Sequence, residues 1–312
     1  MAESTRPAKI GGTGAAAVPP RPHGLATRAL PPRSRTSVWG RFRRHKIAVI
    51  GTVILLALTI GAVGAPALAR HDPYKVSISA YRKPPSGTYW LGTDASGRDV
   101  LSRLLHAGRV SLSVGLVAVS IYTVIGIVLG ALAGFYGRWI DSLIMRAADI
   151  VLAFPTLILI ITIVSLLGPS IYNVMIVIGL LGWPPIARIV RGLFLTLRER
   201  EFIIAGRTIG ASNSRLIFRH ILPNALAPVI VAATFGMANA ILLEAGLSFL
   251  GLGVQPPTPS WGNMLTDAQS LTVLESMPWL WIPPGIAIAL AVLAINFIGD
   301  ALRDALDPYV LR

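Results

Sequence analysis

Six long apolar runs leave this chain little choice of solvent. They lie at roughly 47–69, 111–134, 149–168, 172–192, 225–249 and 281–301. Each holds about 20 residues, and at about 1.5 Å per residue a helix of that length crosses the ~30 Å hydrocarbon core of a bilayer. Hydrocarbon offers the backbone no hydrogen bonds, so a segment inside it must satisfy its own N–H and C=O groups as a helix. Composition agrees: 54% of residues are hydrophobic and 13% charged, with mean hydropathy +0.66. Soluble domains carry about 25% charge. The expected fold class is an all-α polytopic membrane protein with six transmembrane helices. Arg138, Asp141, Arg146 and Asp149 precede the third run at near-helical spacing. That predicts an interfacial helix entering the membrane, broken near Pro155. Pro184, Pro185 and Gly236 fall inside runs, where neighbouring helices satisfy the backbone that they disturb.

Lysine and arginine set the orientation. Ten precede the first run, from Arg6 to Lys46, seven lie between Arg188 and Arg219, and none lies between the fifth and sixth runs. The positive-inside rule then places both termini in the cytoplasm. The segment Arg70–Arg109 also carries seven and lands outside, balanced in part by Asp72, Asp94 and Asp99. The net charge of +14 accordingly implies contact with membrane lipid at the inner leaflet and no nucleic acid. Residues 1–37 are rich in Pro, Gly, Ala and Arg, which predicts a disordered basic cytoplasmic tail. Ala67-Leu68-Ala69 is similar to a signal-cleavage site, but the run before it is longer than a signal core, so a retained anchor is expected. Without cysteine, disulfides are not used.

Several chemistries are excluded. No Gly-x-x-x-x-Gly-Lys-[Ser/Thr] occurs and no lysine follows Lys83, so the chain has no P-loop for ATP phosphates. His23, His45, His71, His106 and His220 form no H-E-x-x-H pair, and no metal site is expected. Gly246-Leu247-Ser248-Phe249 is not a nucleophile elbow. Inside the runs, Glu244 is the one acid placed to serve a proton relay. Alternatively, its side chain reaches polar surroundings or a neighbouring helix.

The longest internal polar loop runs from Arg198 to Pro223. Phe202, Ala205, Gly206 and Ile209 recur at helical spacing and share one face, notched at its middle by two small residues. Glu201 lies one turn before Ala205. Gly210 suits the left-handed position that ends a helix. Ser212 suits the N-cap of a second helix, which Pro223 is expected to stop before the fifth span. A glycine inside a helix costs about 1 kcal/mol against alanine, which a solvated connector would not explain at Gly206.

This hairpin resembles the cytoplasmic coupling loop of ABC importer permeases, with signature E-A-A-x-x-x-G, a gap, then I-x-L-P. The corresponding residues are Ile204-Ala205-Gly206, Gly210 and His220-Ile221-Leu222-Pro223. Ile204 stands at the signature acid, Gly206 at the second alanine and His220 at the isoleucine. Three other stretches resemble the dipeptide/oligopeptide/nickel permease family: Leu91–Arg103, Leu247–Gly262 and Gly299–Pro308. The likeness is greatest to the "C" permease subunit of peptide transporters. It implies a type I ABC importer permease architecture, with an N-terminal anchor and outer segment at 38–110, a permease core at 111–301 containing the coupling loop 193–223, and a cytoplasmic tail at 302–312. It implies a homologous "B"-type permease, two ABC ATPase subunits carrying ATP and Mg, and an extracytoplasmic substrate-binding protein. This chain itself would need no cofactor and do no catalysis. The coupling residues implied are Glu201, Phe202, Ala205, Gly206, Ile209, Gly210 and Pro223. The cargo implied is a di- or oligopeptide. A nickel chelate or other small solute on the same scaffold, or an ion-coupled secondary transporter, are the alternatives. An intramembrane enzyme would need a catalytic dyad that the sequence lacks.

Outside the membrane, Ser96-Gly97-Arg98-Asp99 reads as a capping box with Ser96 as N-cap. An amphipathic helix should follow near the outer surface, with Asp99 and Arg103 as an i,i+4 pair. It would brace the second span or dock the binding protein. Gln255–Trp261 cannot be helical, because Pro256, Pro257 and Pro259 interrupt it; it suits a rigid rim or gate. Trp261, Trp279 and Trp281 alternatively anchor at the membrane interface. The expected outer contacts are Asp94, Arg98, Asp99, Arg103, Gln255 and Trp261.

Overall fold

In a computed structural model, the structure describes residue 42 and residues 45–306. The tail 1–37 and residues 307–312 at the end of the C-terminal tail lie outside the described residues. The principal helices are α1 (Lys46–Val63), α2 (Val100–Tyr136), α3 (Arg138–Ala153), α4 (Thr156–Leu167), α5 (Ile171–Leu181), α6 (Trp183–Leu197), α7 (Glu201–Thr208), α8 (Leu222–Phe249) and α9 (Pro278–Leu306). Among the described residues, five helical stretches are long and apolar enough to cross a membrane, with α5 and α6 counted as one. The pair α3 and α4, bent by 86°, brings the number to six when it is taken as one broken span. The break falls at Phe154-Pro155, where the fixed φ of proline and its missing N–H favour ending the first helix.

The centre of the bundle is α2, with 37 residues and a length of about 55 Å. Its approach to α6 depends on a stripe of small residues. A Cβ at Gly126, Gly130 or Gly134 would collide with the α6 backbone at Trp183, Ala187 and Arg191 in turn. The stripe lets the two backbones meet closely, as small residues do between membrane helices. Polar links secure the surrounding helices. Arg191 pairs with Asp141 through both carboxylate oxygens, and Arg188 Nη2 reaches Asp149 at 2.7 Å, which ties amphipathic α3 to α6. Arg109 donates to the Ala62 and Val63 carbonyls, satisfying the last turn of α1.

Two expectations about helix ends are corrected. The outer amphipathic helix is not separate from the second span: it is the first part of α2. Nor does Pro223 stop the return helix. The chain is helical without a gap from Asn213 to Phe249, through a π-helical segment Leu216–Ile221. In a continuous helix a proline removes one backbone bond, and Pro223 follows closely on the π-helical segment, where the hydrogen-bond ladder already shifts register. Pro223 sits in the first turn of α8.

Candidate functional site

At one end of the bundle, α6 runs into the polar hairpin. α7 spans eight residues, from an N-cap at Arg200. Its end follows the residue types: Gly210 adopts φ +80°, Ala211 N–H donates to Gly206 O at 3.0 Å, and Gly210 N–H donates to Arg207 O at 2.9 Å. This pair of bonds is the Schellman closure, for which glycine is the inexpensive residue. Ser212 then caps the returning helix by accepting from Arg215 N–H.

The hairpin divides into a buried side and an open side. Ile203, Leu216 and Ile221 are fully buried and join the main core with Phe194. Glu201, Phe202, Ala205, Ile209, Gly210 and Pro223 are exposed. Gly206 differs from its expected face-mates. It is half-buried, and a Cβ there would lie 3.0 Å from Leu216 Cδ2, so its small size serves closure of the hairpin. Phe202 is 47% and Ile209 85% exposed, and Ile204 and Phe218 are open as well. These large apolar side chains are left open on a polar loop of the chain. Ile204 and Phe218 lie off the face that helical spacing picked out.

At the other end, the segments before α2 and between α8 and α9 close over the start of α2 as a cap. Asp94 accepts from Ser96 N–H at 2.8 Å and from Arg98 N–H at 2.9 Å. It also pairs with Arg98 Nε at 2.8 Å and Arg103 Nε at 3.4 Å. This corrects the expected capping box. Asp94 holds Ser96 in the preceding turn, so Asp99 becomes the N-cap, accepting from Ser102 N–H and Oγ–H. Arg103 therefore pairs with Asp94 and not with Asp99. The side of the helix expected to face water is the covered one: Ser102 is fully buried and Arg103 is 4% exposed. The proline segment lies over it, and Arg103 Nη1 donates to the carbonyls of Pro73 and Pro257 at 3.3 and 3.4 Å.

Gln255–Ser260 is non-helical, and Trp261 opens a short helix, Trp261–Met264. Trp261 is no interface anchor. It is 2% exposed, and its indole N–H donates to Leu104 O at 3.1 Å. The indole nitrogens of Trp279 and Trp281 are also buried. Of the six expected outer contacts, Asp94, Asp99, Arg103 and Trp261 are interior, while Arg98 and Gln255 approach the surface. Among the described residues no cluster of His, Asp and Glu is placed to hold a metal.

A helical bundle of this span count, with an apolar-faced polar hairpin at one end and a folded cap at the other, defines a multi-pass membrane permease. Residues 126–312 match the family model described as binding-protein-dependent transport system inner membrane component, and residues 35–85 match the N-terminal TM domain of oligopeptide transport permease C. The chain belongs to this family of transport-system inner membrane components. It is similar to the dipeptide transport system permease protein DppC of Alkalihalophilus pseudofirmus, at 46% identity over 86% of this chain and 88% of the relative. The oligopeptide transport system permease protein OppC of Bacillus subtilis is 40% identical over 86% and 87%. The fold is similar to a chain of the MetNI methionine ABC transporter in inward-facing form. That match has a TM-score of 0.53 at 18% identity and covers 66% of this chain and 97% of the other.

Proposed function

We propose that this chain is the "C"-type permease subunit of an ATP-driven importer of di- or oligopeptides. The observation that carries the reading is the open apolar side of the hairpin on a chain of this family: α7 offers a rigid, capped helix to another protein. In this reading the surface around Glu201, Phe202, Ala205, Ile209 and Gly210 receives one of two ATPase subunits, while Gly206 and Pro223 shape the hairpin behind it. A homologous permease completes the pathway. An extracytoplasmic binding protein delivers the solute to the cap, where Arg98 and Gln255 are the accessible polar side chains. ATP and Mg reside on the ATPase subunits. The assembly sits in the cytoplasmic membrane of a prokaryote, with the hairpin and both termini inside. ATP-driven closure of the ATPases would move the docked hairpins as rigid bodies and switch the bundle between outward and inward access.

The test is peptide uptake by the complete assembly in lipid vesicles. Uptake should require ATP and persist when ion gradients are collapsed. Uptake that follows an ion gradient without ATP would establish the secondary-transporter alternative. The purified chain without partners should hydrolyse no ATP above a blank. Mass spectrometry of the solute retained by the binding protein distinguishes a peptide from a nickel chelate.

A further inference from the structure

Midway along the spans, α2, the end of α3, α4, α5, α6 and α8 border a cavity of about 380 Å³. Its lining includes Tyr122, Thr156, Gly182, Pro185, Gly236 and Asn239. Two spans are interrupted at this depth, one at the bend before Thr156 and the other at Gly182 between α5 and α6. Interrupted helices are tolerated inside a membrane where they are buried in protein or line a cavity, and they often frame a transporter's binding site. The volume lies within the range of about 300–1,000 Å³ typical of ligand pockets.

Three polar side chains in this lining, those of Tyr122, Thr156 and Asn239, make no hydrogen bond among the described residues. Tyr122 is 7% exposed, and its hydroxyl makes no hydrogen bond among the described residues. It is held firmly in place: a Cβ at Gly236 would strike the hydroxyl, and one at Gly182 would strike the ring. Asn239 is exposed near the middle of α8, and its carboxamide also makes no hydrogen bond. Thr123 Oγ1, on the next residue after Tyr122, is also buried without a partner, whereas other hydroxyls of these helices are satisfied. Thr234 bonds back to Ile230 O at 2.9 Å, as Ser120 and Thr162 do to their own helices. A side-chain amide turned to hydrocarbon would stay unsatisfied at a cost, whereas one turned to a solute pathway finds partners as the solute passes. No Asp, Glu, Lys, Arg or His lines the cavity. The chemistry on offer is neutral hydrogen bonding between apolar walls, which matches a peptide main chain and not its charged ends.

We propose that Tyr122 and Asn239 form a mid-membrane contact site for a peptide main chain in transit, the hydroxyl and the carboxamide hydrogen-bonding to its amide groups. This rests on the peptide-importer reading above. A site without fixed charge would accept peptides of varied side chains and release them readily.

Since the chain contains no cysteine, Asn239→Cys supplies a single thiol to probe. The complete transporter, with second permease, ATPases and binding protein, is treated in vesicles with a charged thiosulfonate, and labelling is read on this chain. The reagent needs a thiolate, which forms in water and not in lipid. The control is Ile230→Cys, nine residues away and therefore about half a turn around α8. Position 239 should react at least about tenfold faster than position 230, and a mixture of di- and tripeptides with ATP should slow it. Tyr122→Phe and Asn239→Ala should each lower maximal peptide uptake by about tenfold, as loss of a hydrogen bond in the rate-limiting step would. Subunit association and the binding protein's peptide affinity should not change, and Asn239→Gln should restore part of the uptake. Reaction at 239 no faster than at 230 would show that lipid or the second permease covers this face, and would overturn the proposal. So would reaction without protection by peptide, or uptake unchanged in both variants. If Asn239→Ala assembles poorly, protection of the thiol decides. An ATP-driven wild type that carries some other solute defeats the peptide reading, while the labelling ratio still reports whether the cavity is open to water.

Discussion

Ser111 on α2 donates its hydroxyl hydrogen to Glu244 Oε2 on α8 at 2.9 Å, with both side chains fully buried. Ser248 Oγ donates to the other carboxyl oxygen at 2.7 Å. The serines in turn accept backbone N–H groups of the outer cap: Trp261 N–H reaches Ser111 Oγ at 3.2 Å, and Val254 N–H reaches Ser248 Oγ at 3.1 Å. One carboxyl group thus joins two spans and the cap. Glu244→Leu removes the acceptor for two buried hydroxyls, which costs about 1–3 kcal/mol for each group left unpaired. It should lower the thermal midpoint of the detergent-solubilised assembly clearly, and Glu244→Gln should lower it less. Under a bracing role, Glu244→Gln retains ATP-driven uptake. Complete loss of uptake in a stable Glu244→Gln assembly would return Glu244 to the role of a proton relay.

The cap also carries a pH-sensitive carboxyl. Burial raises the Asp267 carboxyl above its usual 3.8, and the Asp94 charge adds to the rise, against the pull of Arg82, Arg98 and Arg103. The folded state therefore holds this proton to higher pH than the unfolded chain does. The stability that Asp267 contributes is fully present below the unfolded value and is lost as pH rises through the raised one. Asp267→Asn should remove that slope. Its thermal midpoint should vary less than the wild type's from about pH 4 upward, and should exceed it most at neutral pH. A variant with a steeper acid-to-neutral decline would show that the arginines, and not burial, dominate at Asp267.

Hydropathy made the spans legible, because in a membrane one-dimensional pattern and three-dimensional environment coincide. The break at Pro155 and the turn at Gly210 were legible for a local reason: each depends on one residue's own backbone preference. The cap was not. Asp94, Asp99 and Ser96 sit within six residues, and local rules allow either Ser96 or Asp99 as N-cap. The choice rests on which amides Asp94 has already taken. The sequence around Trp261 suits a rim or anchor residue, because its bond to Leu104 O, 157 positions away, has no local signature. The Gly126, Gly130 and Gly134 stripe is visible as spacing, but only α6 lying against it gives the spacing a meaning. Gly206 shows the same limit: its small size was explained by an outside partner, while Leu216 of its own hairpin already lies against it.

Topology is open to direct measurement. The Lys and Arg distribution predicts both termini inside, with the cap segments Arg70–Arg109 and Leu250–Leu280 outside. Reporter fusions at Ser86 and Thr272, both exposed, should register the outer face. A fusion at Asn213, in the hairpin, should register the cytoplasm. A cytoplasmic signal at Ser86 or Thr272 would require a different span count or the opposite orientation.

The hairpin allows docking to be separated from folding. Ile209 is 85% exposed and Phe202 is 47% exposed. Ile209→Asp should therefore leave membrane abundance unchanged, since exposed substitutions usually alter stability by no more than about 0.5 kcal/mol. If this side receives an ATPase subunit, the same change places an unpaired charge in an apolar contact. Co-purification of the ATPases and ATP-driven uptake should then fall together, and Phe202→Asp should behave alike. Gly206→Trp should act differently. The first carbon of any side chain there lies 3.0 Å from Leu216 Cδ2, and the bulk of Trp beyond it overpacks the hairpin, which costs about 1–3 kcal/mol. This variant should lower membrane abundance before any effect on docking is seen. Normal ATPase co-purification and uptake in both aspartate variants would mean that the open side faces only water, and the docking surface would have to be sought elsewhere on the cytoplasmic end.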